Sequence, residues 1–177
     1  SLVVVSLLDN TMTHNRKLRI GIIFGGKSAE HEVSLQSAKN VLAALDKEKY
    51  DPVLIGITKE GRWLLQNAPD LLQAANRDHL PKLERGGTEV MLAPQHGNAL
   101  IRLDNARTAA SIDVFFPVVH GPYGEDGTLQ GLLKLAHVPF VGAGVLGSAV
   151  GMDKDVMKRL LREAGIPVVK FLVLRSG

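Results

Sequence analysis

The sequence predicts an α/β fold built on a mostly parallel sheet that is covered on both faces. Two short apolar runs, LRIGIIF at Leu18–Phe24 and PVLIGIT at Pro52–Thr58, are almost continuously hydrophobic, as is typical of strands buried on both faces. A segment with helical periodicity lies between them. A strand, a helix and a strand within about forty residues form a βαβ unit, which implies parallel strands.

The first helix is predicted from Ser34 onward, with Ser34 as a plausible N-cap. Its apolar face consists of Leu35, Ala38, Val41, Leu42 and Leu45. After the second strand, Lys59–Arg62 reads as a turn before an apolar segment at Trp63.

The middle of the chain, Gln66–Ser111, is predicted to be a surface excursion to which we assign no chemistry. Within it, Glu89–Ala93 and Ala99–Leu103 are expected to pair as a hairpin. His79 and His96 are expected to be solvated loop residues.

The sheet is expected to resume at Ile112–Val119, and a helix should follow Asp126, which is as plausible a simple N-cap as a site residue. Val138–Gly142 is predicted to continue the sheet, and Gly144–Gly151 is expected to be flexible.

The last predicted helix, Lys154–Ala164, has Asp153 as its N-cap and Gly165 just after its end. Its expected buried face is Val156, Met157, Leu160, Leu161 and Ala164. Val168–Leu174 is then predicted to be a strand.

The composition of the 177 residues excludes several classes of function. The net charge of +3 is spread along the chain and aromatic residues make up only 5%, which argues against nucleic-acid binding. Without cysteine there is no disulfide or thiolate chemistry. Residues 1–15 are expected to be a flexible arm or an expression remnant, and no segment is predicted to span a membrane.

The glycine-rich turn after the first strand formally matches the P-loop pattern, because Gly21–Ser28 reads GIIFGGKS. We reject that interpretation, since Gly21 lies inside the predicted strand and leaves too few loop residues to wrap a phosphate. Acidic residues at the start of the following helix have a simpler explanation, a favourable interaction with the helix dipole.

A second glycine-rich segment, VVHGPYGEDGTLQG at Val118–Gly131, lies between a predicted strand and a predicted helix. The carboxyl edge of a parallel sheet is where open α/β folds bind ligands. A tight turn explains the glycines alone, whereas a histidine beside two acids favours a site. Zinc binding is the rival interpretation, which we discount because no two histidines have ligand spacing.

Part of that segment resembles the signature motif of D-alanine–D-alanine ligases of the ATP-grasp group. The matching pattern is His-Gly-x-x-Gly-Glu-Asp-Gly-x-Leu-Gln-Gly at His120–Gly131. Further similarities lie at Gly25–Ser34 and Met152–Lys154. The resemblance covers only the first part of such an enzyme. It implies a three-layer, Rossmann-like (pre-ATP-grasp) domain over residues 16–150 and the truncated start of a central ATP-grasp domain over 151–177.

The resemblance also implies roles for individual residues. Glu30 would hold the ammonium of the first D-alanine and so be both catalytic and substrate-binding, while Glu32 and Ser34 would brace the turn. His120 would lie near the carboxylate of that D-alanine, and Glu125 would position groups of the site. Lys154 would contact the phosphates of ATP.

The implied reaction joins two D-alanines through an acyl phosphate in a cytoplasmic homodimer. The ligands of Mg²⁺, the serine–tyrosine pair and the oxyanion arginine are expected beyond Gly177, so the chain alone should be inactive. Two alternatives remain open. One is a non-catalytic α/β binding or dimerisation module, and the other is a D-alanine–D-lactate ligase.

Overall fold

A computed structural model describes residues 16–67, 83 and 87–174. Its centre is a seven-stranded sheet with the spatial order β6-β5-β4-β3-β2-β1-β7. The strands are β1 (Leu18–Gly25), β2 (Tyr50–Ile57), β3 (Trp63–Gln66), β4 (Glu89–Leu92), β5 (Ala99–Arg102), β6 (Thr108–Ser111) and β7 (Val114–Pro117). The helices are α1 (His31–Ala44), α2 (Thr128–Leu135), α3 (Val145–Met152) and α4 (Lys154–Glu163).

The predicted βαβ unit is confirmed: β1 pairs in parallel with β2 on one side and with β7 on the other. The expectation of a mostly parallel sheet is wrong, because the other four strand pairings are antiparallel. The reason lies in the connections. Three of the four pairings follow from short connections, since only five residues link β2 to β3, six link β4 to β5 and five link β5 to β6, whereas a parallel crossover requires about a dozen or more.

The sheet is covered on both faces, as the three-layer prediction requires. On one face α1 packs on the sheet through a cluster formed by Ile20, Ile22, Phe24, Leu35, Ala38, Leu42 and Leu54. On the other face α2 contributes Leu129 and Leu133 to a cluster with Ile23, Ile55 and Phe115. Consecutive residues of β1 therefore enter different layers, since side chains alternate across a strand.

The predicted hairpin in the middle of the chain is also confirmed. Strands β4 and β5 pair antiparallel around a 3-10 turn at Pro94–His96, and His96 is exposed as expected. His79 and most of the predicted excursion before Gly87 lie outside the described residues.

The final helix is confirmed, with Asp153 accepting hydrogen bonds from the N–H groups of Asp155 and Val156. Its predicted burial is wrong, however: α4 has no buried residue, and Val156 and Leu160 are 41% and 53% exposed. The expectation that Gly144–Gly151 is flexible is also wrong, because Val145–Met152 forms α3, which contacts both α2 and α4.

Two predicted strands are not formed. Val138–Gly142 is reduced to a single parallel bridge between Phe140 and Phe115, and Val168–Leu174 has no regular secondary structure. A strand requires a hydrogen-bonding partner along its length. Among the residues that the structure describes, Val138–Gly142 is bonded to β7 only at Phe115, through Pro139 and Val141, and Val168–Leu174 is paired with no strand. No helix in the described part of the chain is long and apolar enough to cross a membrane.

Candidate functional site

The first component of the candidate site is the turn between β1 and α1. Gly25 and Gly26 have φ values of +87° and +103°, a left-handed backbone that glycine adopts without strain. The Gly26 N–H donates to the carbonyl of Ile57 at 2.8 Å, which ties the turn to the end of β2. Gly21 lies within β1, so the structural reason for rejecting a P-loop is confirmed.

Ser34 is not the N-cap of α1, because the helix begins at His31 with Glu30 as its cap residue. The Ser34 hydroxyl is instead fully buried, where it accepts from the Gly25 N–H at 2.8 Å and donates to the Val118 carbonyl at 2.6 Å. Ser34 thus bonds to the backbone of β1 and of the segment after β7, and not to the amides at the start of α1. Its predicted role in bracing the turn is confirmed.

His31 is a buried residue that the sequence analysis missed. Its Nδ1 lies 2.8 Å from the carbonyl oxygen of Gly26, so the ring stabilises the same turn from inside. A buried polar side chain of this kind requires a hydrogen-bond partner. The sequence feature that could have indicated this role is the position of His31 directly after the glycine turn and at the start of the helix.

Two glutamates at the start of α1 have different environments. Glu32 forms an ion pair with Lys59 at 2.5 Å, and this hydrogen bond is the main cause that lowers the pKa of Glu32. Glu30 is exposed, and its carboxylate makes no hydrogen bond or ion pair with any residue of the described part of the chain. Glu30 is therefore available to bind a cation from solution.

The second component is the loop that joins β7 to α2. Glu125 closes the loop by accepting a hydrogen bond from the Gly121 N–H at 2.7 Å. Asp126 accepts from the N–H groups of Tyr123 and Thr128, both at 2.9 Å. Gly127 is the cap residue of α2, so Asp126 is not its N-cap but still satisfies the first helix amide.

The hydrogen bonds to Asp126 favour its ionised form. Burial acts to raise the pKa of Asp126, but the N–H donors of Tyr123 and Thr128 outweigh it and hold the pKa below its usual value. The loop is thus held by backbone N–H groups that favour the ionised form of Asp126.

His120 lies where the loop meets α1. Its carbonyl accepts a hydrogen bond from the Ser28 hydroxyl at 2.7 Å, and its Nε2 lies 2.9 Å from the Ser37 hydroxyl. Its Nδ1 is 3.9 Å from Glu125 Oε1. Ser37 was not predicted, and no feature of the sequence distinguishes it from other helical serines.

The two components meet at Gly121. A Cβ atom added to Gly121 would lie 2.6 Å from Glu30 Oε2 and 3.2 Å from Ser28 Cβ, so the loop backbone is in contact with the turn. The structure thereby brings Glu30, His120 and Glu125 together in one place. A carboxylate that has no partner among the described residues, close to the loop that carries an imidazole, suits a small zwitterion whose ammonium binds the first and whose carboxylate lies near the second.

Lys154 is not part of this cluster. It lies exposed at the start of α4 and donates to the carbonyl of Gly151 at 2.7 Å. Among the hydrogen bonds and ion pairs of residues 16–67, 83 and 87–174, none joins Lys154 to Glu30, His120 or Glu125.

The fold is an α/β domain in which two glycine-rich loops face each other at one edge of the sheet. Residues 19–143 match the family model described as the D-ala D-ala ligase N-terminus, and the chain belongs to this family. D-alanine–D-alanine ligase A of Chromobacterium violaceum is 54% identical over 159 residues, which are 89% of this chain and 43% of that protein.

Solved structures agree with the sequence relationship. The D-alanine–D-alanine ligase from Coxiella burnetii is 46% identical with a TM-score of 0.76, covering 87% of this chain and 43% of that chain. The VanG D-Ala:D-Ser ligase from Enterococcus faecalis is 37% identical with a TM-score of 0.72, covering 88% and 44%. The chain therefore spans less than half the length of the relatives that it matches.

Proposed function

We propose that this chain forms the first amino-acid subsite of an ATP-dependent D-alanine–D-alanine ligase. The observation that supports this most directly is the Glu30 carboxylate, which has no hydrogen-bond or ion-pair partner in the described part of the chain. It lies beside Gly121, and Gly121 belongs to the loop that also carries His120 and Glu125. Family membership, together with a relative named as a D-alanine–D-alanine ligase at 54% identity, supports the same function. The relatives do not favour the D-alanine–D-lactate alternative.

In this proposal Glu30 binds the ammonium of the first D-alanine through a charge-assisted hydrogen bond. With the amine and the carboxylate fixed, the two enantiomers differ only in whether the methyl group or the hydrogen occupies each remaining position on Cα, so a third contact at one of these positions would select one enantiomer. His120 donates to the carboxylate. Glu125 is a positioning residue, since its carboxylate is already engaged with the Gly121 N–H.

ATP would supply the phosphoryl group that activates the carboxylate, with Mg²⁺ screening the phosphates. We propose that Lys154 contacts those phosphates and that residues 151–177 begin the central domain. Within the described ranges no group of three or more His, Asp or Glu side chains is placed to hold a metal ion. A cytoplasmic homodimer belongs to the same proposal.

The test is a chimera in which residues 19–143 replace the corresponding part of the Chromobacterium violaceum ligase. D-alanine-dependent ADP release should be retained by the chimera, whereas the 177-residue chain alone should release no ADP. Glu30→Gln should lower kcat/KM for D-alanine about 10- to 100-fold, because a neutral amide replaces the charged partner of the ammonium.

The matched control is Glu32→Gln, which removes the same charge two residues away. Glu32 is paired with Lys59 and not with the substrate, so this variant should stay within about twofold of the unmodified chimera. Equal kinetics for Glu30→Gln and Glu32→Gln would remove Glu30 from the subsite.

A further inference from the structure

The His120 ring has a different neighbour at each nitrogen. Its Nε2 lies 2.9 Å from the hydroxyl of Ser37, which is on α1 and 83 positions away in the sequence. Its Nδ1 lies 3.9 Å from the Glu125 carboxylate. The two neighbours come from different elements and flank opposite sides of the ring. In a neutral imidazole one nitrogen carries hydrogen and the other accepts, so the neighbours determine the tautomer.

Both neighbours favour the same tautomer. A carboxylate facing Nδ1 attracts an N–H dipole and opposes a lone pair at that position. Within the described part of the chain, the Ser37 hydroxyl has no hydrogen-bond partner other than His120 Nε2. If Nε2 carried the hydrogen, the Ser37 oxygen would accept and its own hydrogen would lack a protein acceptor. If Ser37 donates instead, its hydroxyl hydrogen points at His120 Nε2, which accepts it. The ring hydrogen is then on Nδ1 and faces the Glu125 carboxylate.

We propose that Ser37 is a positioning residue that donates to His120 Nε2 and thereby fixes the Nδ1–H tautomer. With Nε2 occupied by Ser37, any hydrogen bond that the ring donates to a ligand must come from Nδ1–H, on the side where Glu125 Oε1 lies 3.9 Å away. That this ligand is the carboxylate of the first D-alanine rests on the proposed function. The tautomer itself does not depend on that function.

The effect of Ser37 is confined to the ring because other serines hold the backbone. Ser28 donates to the carbonyl of His120 at 2.7 Å, and Ser34 donates to the carbonyl of Val118 at 2.6 Å. These two bonds fix the path of the loop without Ser37. Replacing Ser37 should therefore release the imidazole while the loop keeps its place.

The experiment is long-range ¹H–¹⁵N NMR of the histidine rings in the ¹⁵N-labelled 177-residue chain, at roughly pH 8 where an ordinary histidine is neutral. The spectrum of His120→Gln identifies the His120 signals by their loss. We expect unmodified His120 to show a protonated Nδ1 and an unprotonated Nε2. Ser37→Ala should shift the population toward Nε2–H, and Ser37→Thr should restore the original pattern because it keeps the hydroxyl.

The control is Ser148→Ala, since Ser148 is a helical serine whose hydroxyl donates to the Ala143 carbonyl and not to a histidine. It should leave the His120 signals unchanged. A protonated Nε2 in the unmodified chain would overturn the proposal without any variant, so the test survives if Ser37→Ala fails to fold. An unchanged tautomer in folded Ser37→Ala would overturn it as well.

Kinetics of the chimera separate this proposal from the proposed function. Ser37→Ala should lower kcat/KM for D-alanine by about 2- to 10-fold, as expected for one neutral hydrogen bond, and Ser37→Thr should recover it. A tautomer shift without a kinetic effect would contradict the place of His120 in the subsite while supporting the role of Ser37. A kinetic loss without a tautomer shift would contradict the role of Ser37.

Discussion

At the scale of single residues, the partner of a side chain determines its function more than its type does. Glu30 and Glu32 are two positions apart at the start of the same helix. Lys59 neutralises Glu32, whereas Glu30 has no partner of this kind in the described part of the chain. Only Glu30 can therefore exchange water for a cationic ligand without first breaking an ion pair.

Gly121 is the residue on which the contact between turn and loop depends. Gly121→Ala should lower the free energy of unfolding by about 1–2 kcal/mol, because alanine is strained at a φ of +72° and the exposed Glu30 carboxylate must also move away from the new Cβ. Urea denaturation of both proteins measures the difference.

The matched control for that substitution is Gly131→Ala. Gly131 lies within α2 and nothing surrounds the position of a Cβ atom, so alanine should stabilise the protein by up to about 1 kcal/mol. If Gly121→Ala stabilised the protein as Gly131→Ala is expected to do, the loop would not be constrained at Gly121.

At the scale of an element, the loop between β7 and α2 is held by hydrogen bonds to its own carboxylates. Asp126→Asn should lower the free energy of unfolding at pH 7 by roughly 1 kcal/mol, because hydrogen bonds to a charged acceptor are stronger than those to a neutral one. The folded pKa of Asp126 is lowered. Its stabilisation is therefore complete above the unfolded pKa of about 3.9 and is lost as pH falls through the folded value.

The measurement is the difference in unfolding free energy between the two proteins from pH 7 down to acid. The difference should be constant near neutrality and should shrink below about pH 4. Glu163→Gln removes the same charge at an exposed position on α4 and should cost less than about 0.5 kcal/mol. A difference that grew on acidification would contradict the assigned hydrogen bonds.

Elements whose hydrogen bonds are local were predictable, and those that depend on distant partners were not. Asp153 caps α4 through amides two and three residues away, a pattern that the sequence alone contains. Ser34 has the residue type of a cap, but its partner Val118 is 84 positions away. Helix α3 contains glycines of low helix propensity and is formed where it contacts two other helices.

At the scale of the whole molecule, the pairing of β1 with β7 explains why part of the site was predictable. The two strands are parallel neighbours, so the turn after Gly25 and the loop after Pro117 leave the sheet at the same edge. Glu30 and His120 are near those strand ends, and their proximity follows. The contact of Ser37 with His120 depends on how α1 is rotated on the sheet, which periodicity defines only approximately.

The two layers of the core should behave as nearly independent units, and β1 allows a sharp test. Ile22 packs with α1 on one face of the sheet, and Ile23 packs with the cluster on the other face. Each change to valine should cost about 0.5–1.5 kcal/mol. The double variant should cost their sum within about 0.5 kcal/mol, because the two side chains lie in different clusters.

The control pair for this additivity test is Ile23→Val with Ile55→Val. These residues are register neighbours on β1 and β2 and belong to the same cluster, so each relaxes into space that the other vacates. Their coupling energy from chemical denaturation should reach about 0.5 kcal/mol or more. If the coupling energy of Ile22 and Ile23 were as large as that of Ile23 and Ile55, a packing change on one face of the sheet would be transmitted to the cluster on the other face. A substitution under α1 would then reach the loop that carries His120 through the sheet as well as through the serine contacts.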